Sequence, residues 1–261
     1  MLQRWRMRRL LKSEPIPHAI WQEVIRHAPL LSGLDAVQMA RLRELSTWFL
    51  DKKSVIGARG LEVTQSMRVI VAAHACLLIL NLGVEYFEGW VGVILYPGAF
   101  RVSHARVDDI GLVHDETTDL SGESWLRGPV ILSWDEVQRD TLHRQAGRNV
   151  VLHEFAHKLD GLNGAMNGMP PLHRGMSRER WAQALSGAYD ALRTQVESGQ
   201  SPCIDPYAAT SPAEFFAVAS EYFFTAPDIL EKCSPAVHEQ LALFYRREKG
   251  LPGRNIEFRI A

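Results

Sequence analysis

The sequence predicts an α+β fold in which helices, a small mixed sheet and further helices follow one another along the chain. Two patterns support this order. Apolar residues recur at helical spacing before about residue 50 and again from residue 148 onward, whereas the middle holds short β-rich runs bounded by Gly and Pro. The chain has 261 residues, of which 46% are apolar and 23% charged, so it can bury a core of normal size without cross-links.

The N-terminal part is predicted to be helical. One helix covers residues 20–25, and a stronger one begins after Asp35, which is a suitable N-cap. A third covers residues 64–80 with Thr64 as its cap. Its apolar run, residues 69–80, is too short to cross a bilayer, so we expect a buried core helix.

The middle of the chain supplies the strands, and the C-terminal part supplies the remaining helices. Residues 92–97 and 128–134 are the stronger strand predictions, and residues 101–102 and 110–113 are weaker ones. The predicted helices after the strands cover approximately residues 148–160, 178–197, 211–224 and 235–246.

The domain organisation follows from the absence of a clear linker rich in Pro, Gly or Ser. We expect one compact unit, made of a helical extension at residues 1–60 and a larger domain at residues 61–261.

Charge and cysteine usage indicate the cellular setting. The formal net charge of −1 argues against binding to nucleic acid or to an anionic membrane. Cys76, Cys203 and Cys233 are scattered and form no CxxC pair, so we expect buried small side chains in a reducing compartment. The basic residues 1–11 resemble the start of a signal peptide, but residues 12–15 interrupt the apolar stretch that must follow. A cytoplasmic protein is therefore predicted.

One segment carries a recognisable catalytic pattern, His153-Glu154-Phe155-Ala156-His157. Two histidines four residues apart project from the same side of a helix, so both imidazoles can bind one metal ion. Glu154 lies beside the first of them and can accept a proton from a water that the metal activates. The alternative is an ordinary amphipathic helix whose polar residues face solvent. Apolar residues on both sides of the histidines favour a buried helix that directs them into a cleft.

A catalytic zinc site needs a third protein ligand. A histidine six residues after the second one would extend the pattern, but Asn163 occupies that position. Glu214 and Glu221 remain as candidates on one predicted helix, seven residues apart and therefore on about the same face. Spacing does not choose between them, because Glu214 also fits a capping box with Ser211. Asp160 is a candidate to hydrogen-bond a ligand imidazole, or an ordinary aspartate at the helix end.

Three segments resemble the Mlc titration factor A family of bacterial zinc metallopeptidases, and the match covers most of the chain. They are GPVILSW at 128–134, HEFAHKLDG at 153–161 and YAATSPAEFFA at 207–217. The third segment is the most specific. It is also similar to the catalytic end of anthrax lethal factor, in which a Tyr precedes the metal-ligand Glu by seven residues.

The resemblance implies a zincin-like metallopeptidase domain that hydrolyses peptides with one zinc ion per chain. It implies that Glu214 joins His153 and His157 as the third zinc ligand, with Glu154 as the general base. Tyr207 corresponds to a hydroxyl donor to the oxyanion of the scissile carbonyl.

The resemblance also implies aminopeptidase activity and a protein partner, the Mlc repressor of glucose uptake genes, which the family binds and sequesters. The alternative function is a regulatory factor that titrates a repressor with little or no proteolysis. A purely structural zinc site is disfavoured, because such sites usually have four protein ligands rich in Cys.

Overall fold

The computed structural model describes residues 16–98, 105–107, 113–115 and 128–247. The basic segment 1–11 and the weak strand prediction at 101–102 lie outside these residues, as does most of the prediction at 110–113. The described helices are α1 (His18–His27), α2 (Ala36–Lys52), α3 (Gln65–Leu78), α4 (Trp134–Leu142), α5 (Val150–Asp160), α6 (Arg178–Glu197), α7 (Pro212–Thr225), α8 (Pro227–Cys233) and α9 (Pro235–Tyr245).

Side-chain caps fix the first turns of several helices where the sequence predicts them. Asp35 and Thr64 form capping boxes at α2 and α3, which confirms both predicted caps. Ser211 accepts a hydrogen bond from the backbone at the start of α7, and Pro212 occupies the first helical position. The four helices predicted in the C-terminal part are confirmed to within two residues at each end.

The strands form a small parallel sheet and a separate antiparallel pair. β1 (Ser54–Gly57), β2 (Gly92–Tyr96) and β5 (Val130–Ser133) lie side by side in that order, and both pairings are parallel. β3 (Ala105–Val107) pairs only with β4 (Val113–Asp115) among the described strands. The expectation of one mixed sheet is therefore wrong for the described residues. Long crossovers separate β1, β2 and β5 along the chain, and such crossovers allow neighbouring strands to run in parallel.

The apolar helix α3 lies inside the molecule, as predicted. Ten of its residues are buried, and it packs against α1, α2 and α5. No helix among the described residues combines the length and the apolar character that crossing a membrane requires. The buried side chains form one continuous core from Ile16 to Tyr245. The proposed boundary near residue 60 stays a prediction.

An aromatic cluster holds α5 in place. Phe155 is fully buried, and its ring lies 5.2 Å from that of Phe87, 5.5 Å from that of Trp90 and 5.7 Å from that of Phe49. These residues precede the sheet or connect its strands, so the buried face of α5 is fixed against the N-terminal half of the chain. The opposite face carries the two histidines, which are only partly buried.

The cysteines correct one expectation. Cys76 is buried and unpaired, as predicted, but the sulfur atoms of Cys203 and Cys233 are joined in a disulfide. The two residues are 30 positions apart, and their Cα atoms lie 6.1 Å from each other. Cys203 lies in the segment after α6 and Cys233 is the last residue of α8, so the fold brings distant segments together, and no local spacing in the sequence indicates that contact.

Candidate metal centre

The start of α5 determines where its histidines point. Asn149 is the N-cap, and its side-chain oxygen accepts a hydrogen bond of 3.0 Å from the backbone N–H of Leu152. Leu152 and Ala156 are fully buried on the inner face, whereas His153 and His157 retain about an eighth of their side-chain exposure. The histidines therefore border solvent while their helix is anchored in the core.

Three side chains converge on one point beside this helix. The Nε2 atoms of His153 and His157 lie 3.2 Å apart, and Glu214 Oε2 lies 3.0 Å from the first and 3.5 Å from the second. Ligand atoms at the usual zinc distances of about 2.0–2.1 Å from a tetrahedral centre are about 3.3–3.4 Å apart. The triangle of two nitrogens and one oxygen therefore has the size of one face of a tetrahedral zinc site, and the fourth corner faces away from these residues.

The capping box considered for Ser211 and Glu214 forms only in part. The hydroxyl of Ser211 accepts a hydrogen bond of 3.2 Å from the Glu214 backbone N–H, which is the ordinary N-cap contact. The reciprocal contact of a capping box, from the Ser211 backbone to the Glu214 carboxylate, does not form, although it does form at α2 and α3. The carboxylate is directed to the two histidines instead.

Glu221 lies on the other side of the His153 ring. Its Oε1 accepts a hydrogen bond of 2.7 Å from His153 Nδ1, and its Oε2 accepts one of 2.5 Å from the Asn149 backbone N–H. Among the described residues, the group whose ligand atoms lie within 4.8 Å of one another consists of His153, His157 and Glu214. Glu221 thus faces the nitrogen that points away from that group.

The charges around the site favour a cation. Burial lowers the pKa of His153, but hydrogen bonds to Glu214 and Glu221 outweigh this effect and raise it to about 10. Burial raises the pKa of Glu214, but hydrogen bonds from His153 and His157 outweigh this effect and lower it to about 2. The two glutamates therefore stabilise positive charge at the His153 ring, and the Glu214 carboxylate is ionised. A divalent cation bound by neutral imidazoles would replace the proton and place positive charge at the same point.

Glu154 lies close enough to the site for the charges there to shift its pKa. Burial raises its pKa above the ordinary value, while positive charge on His153 and His157 opposes that rise. A carboxylate with a raised pKa is a stronger base than an ordinary one. Glu154 is therefore suited to proton transfer beside the candidate ligands.

Tyr207 lies beside His153 and is exposed to solvent. It lies in the short 3-10 helix Pro206–Ala209, whose backbone is capped by the Asp205 carboxylate at 2.9 Å from the Tyr207 N–H. Its ring centre is 6.1 Å from that of His153, and the residue is 53% exposed. Burial and then the negative charges of Glu214 and Glu154 raise the pKa of Tyr207, so its hydroxyl stays protonated at neutral pH and can donate.

Asp160 serves the loop that follows α5. Its Oδ2 accepts a hydrogen bond of 2.8 Å from the Gly168 N–H, which holds the loop against the helix end. Its other oxygen and Nδ1 of His157 are both buried and have no hydrogen-bond partner among the described residues. Of the two roles considered for Asp160, the one in which it accepts a hydrogen bond from a ligand imidazole is therefore not seen among the described residues.

The sequence interpretation did not identify the residues that support the start of α5. Asn149 carries the usual signal of an N-cap, a short polar residue immediately before an apolar run. Thr225 accepts a hydrogen bond of 2.8 Å from the Gly147 N–H, a contact between distant segments that has no local signal.

Comparison with known proteins agrees with these observations. Residues 2–246 match the model of the family described as glucose-regulated metallo-peptidase M90. A protein of Salmonella paratyphi B named Mlc titration factor A is 38% identical over 249 residues, which cover 94% of this chain and 91% of that protein. A protein of the same name from Klebsiella pneumoniae is 37% identical over 230 residues, which cover 87% and 86% of the two chains. The chain therefore belongs to the glucose-regulated metallo-peptidase M90 family.

Proposed function

We propose that this protein is a zinc-dependent peptidase of the zincin type. The observation that carries the proposal is the triangle of His153 Nε2, His157 Nε2 and Glu214 Oε2, with sides of 3.0, 3.2 and 3.5 Å. Two imidazoles and one carboxylate are a common ligand set of catalytic zinc in peptidases, and they leave a fourth position for water or substrate. We expect one zinc ion per chain.

Each polar residue of the site has a distinct role in the proposed reaction. Glu154 accepts a proton from the attacking water while the new C–O bond forms, and it delivers the proton to the leaving amine as the C–N bond breaks. Tyr207 donates a hydrogen bond to the carbonyl oxygen as negative charge develops there. A zinc ion held by His153, His157 and Glu214 supplies the Lewis acidity that activates the water and polarises the peptide carbonyl.

The edge of the parallel sheet supports a peptide as the substrate. β5 packs against α5 and pairs with β2 alone among the described strands, so one of its edges has no partner strand there. An extended peptide can add to such an edge through main-chain hydrogen bonds. We propose aminopeptidase-like cleavage, which requires a free N-terminus on the peptide.

The partner and the setting are proposed from the relatives. The matched relatives are named Mlc titration factor A. We propose that this chain also binds an Mlc-type repressor and thereby regulates glucose uptake genes, and that it acts in the cytoplasm. In that reducing compartment Cys203 and Cys233 would be held largely as thiols. We propose that the chain binds neither nucleic acid nor membranes directly.

One substitution tests the peptidase mechanism. Glu154→Gln removes the proton acceptor and leaves the three candidate ligands in place. Zinc content should stay near one per chain, while the rate of peptide hydrolysis should fall by about 10²-fold or more. The measurements are elemental analysis and turnover of a peptide panel, with free and acetylated N-termini. Glu239→Gln, the same substitution at an exposed residue of α9, is the matched control and should behave as the wild type.

The outcomes separate the parts of the proposal. Full activity in Glu154→Gln would remove Glu154 from the mechanism while leaving the metal site intact. Zinc content near zero in wild type purified under zinc-replete conditions would refute the metal site itself. Equal cleavage of free and acetylated peptides would indicate an endopeptidase. If Glu154→Gln still binds an Mlc-type repressor, binding and proteolysis are separate functions of the chain.

A further inference from the structure

Glu221 joins two donors that both belong to the start of α5. It is 6% exposed on α7, the helix that also carries Glu214. One carboxylate oxygen accepts from His153 Nδ1 at 2.7 Å, and the other accepts from the Asn149 N–H at 2.5 Å. The side chain therefore fixes the His153 ring relative to the backbone of the helix that bears it.

A second contact, between the segment before α5 and α7, lies one turn further along α7. The Gly147 N–H donates to Thr225 Oγ1 at 2.8 Å, and Thr225 Oγ1 in turn donates to the Glu221 carbonyl at 2.7 Å. Gly147 has a φ of +65°, and a side chain there would overlap the Tyr222 ring. The segment before α5 is thus docked closely against α7, which keeps Glu221 within reach of His153.

The two histidines are supported differently. His157 Nδ1 is buried and has no hydrogen-bond partner among the described residues, whereas His153 Nδ1 has the Glu221 carboxylate. Within the part of the chain that the structure describes, His153 is therefore the one candidate ligand imidazole that is hydrogen-bonded to a carboxylate outside the triangle. A carboxylate behind a ligand imidazole fixes its tautomer and raises its basicity.

We infer that Glu221 is the positioning residue of the metal centre: it holds the proton of His153 on Nδ1 and so presents the lone pair of Nε2 to the metal. This inference rests on the proposed zinc site. It assigns a separate task to each glutamate on α7, because Glu214 supplies a ligand atom and Glu221 orients another ligand. Glu221 contacts the Nδ1 side of the His153 ring, away from the three candidate ligand atoms.

The test compares Glu221→Gln with Thr225→Val. His153 Nδ1 and the Asn149 N–H contact different oxygens of the Glu221 carboxylate. In Gln one of these positions is an NH2 group, so one of the two donors loses its acceptor. Thr225→Val breaks the neighbouring contact to Gly147 and leaves the His153 hydrogen bond in place. Zinc affinity is measured by competition with a chelator, and the stability of each variant is measured by denaturant unfolding. We expect Glu221→Gln to bind zinc about 10- to 100-fold more weakly, and Thr225→Val to keep the wild-type affinity.

A spectroscopic measurement on the wild type does not depend on whether the variants fold. Long-range ¹H–¹⁵N spectra of the zinc-loaded protein identify which nitrogen of His153 carries the proton. We expect Nδ1–H in the wild type and in Thr225→Val, and a weakened hydrogen bond at Nδ1 in Glu221→Gln. A proton on Nε2 in the wild type would overturn the inference, as would an equal loss of zinc affinity in the two variants. A wild type that binds no zinc would instead refute the proposed function.

Discussion

Removing the hydroxyl of Tyr207 tests how the site handles charge in the transition state. Tyr207→Phe keeps the ring, whose centre lies 6.1 Å from that of His153, and removes only the O–H group. Because the residue is 53% exposed, the free energy of unfolding should change by no more than about 0.5 kcal/mol. The loss of one oxyanion donor should lower kcat by about 10- to 10³-fold. KM should change little, since the lost contact forms mainly in the transition state.

The assay needs three readouts on the same preparation: zinc content, melting temperature and steady-state turnover of a peptide that the wild type cleaves well. Tyr189→Phe, at a partly buried position on α6, is the control for removal of a phenol hydroxyl elsewhere. Unchanged zinc and melting temperature with reduced kcat support the oxyanion role. A wild-type kcat in Tyr207→Phe would refute the reasoning and leave the metal ion as the main oxyanion stabiliser.

Two further predictions concern the framework of the site. Gly147→Ala should lower the free energy of unfolding by about 2–5 kcal/mol, because it combines a left-handed backbone with overlap against the Tyr222 ring. Gly187→Ala, which meets nothing within 4 Å in α6, should stabilise by about 0.5–1 kcal/mol, and urea unfolding of both variants checks the contrast. Replacing Cys203 and Cys233 by Ala should cost about 3–4 kcal/mol in oxidising buffer, the chain-entropy value for a loop of 30 residues. The same unfolding midpoint with and without reductant would show that the cross-link contributes nothing.

Helices with local signals could be predicted from the sequence. Asp35 and Thr64 mark their helices because a capping side chain acts within three residues of itself. Apolar residues at helical spacing predicted α6 and α9 in the same way. The helix α4 was not predicted, although Ser133 caps it, because it begins immediately after β5 without an intervening turn. The short strand β1 was also missed, since four residues give little periodicity to detect.

Contacts between distant segments could not be predicted in this way. The parallel order of β1, β2 and β5 depends on crossovers whose path no local pattern encodes. The pairing of Cys203 with Cys233 depends on how the segment after α6 packs against the end of α8, and scattered cysteines gave the opposite expectation. The sequence left two roles open for Asp160, and its carboxylate accepts a hydrogen bond from the Gly168 N–H of the following loop. In each case tertiary packing decides between contacts that the local sequence pattern allows equally well.

The two glutamates of α7 show why spacing alone could not identify the third ligand. Residues 214 and 221 are separated by about two helical turns, or about 10 Å along the axis, and both face α5. An imidazole has two nitrogens on opposite sides of its ring, so one helix can contact His153 from both sides. Glu214 is at the Nε2 side, which it shares with His157, and Glu221 is at the Nδ1 side. The helical periodicity therefore predicts that both carboxylates face α5. His157 lies on the Nε2 side of His153, and its position determines that Glu214 can share a metal ion with the two histidines.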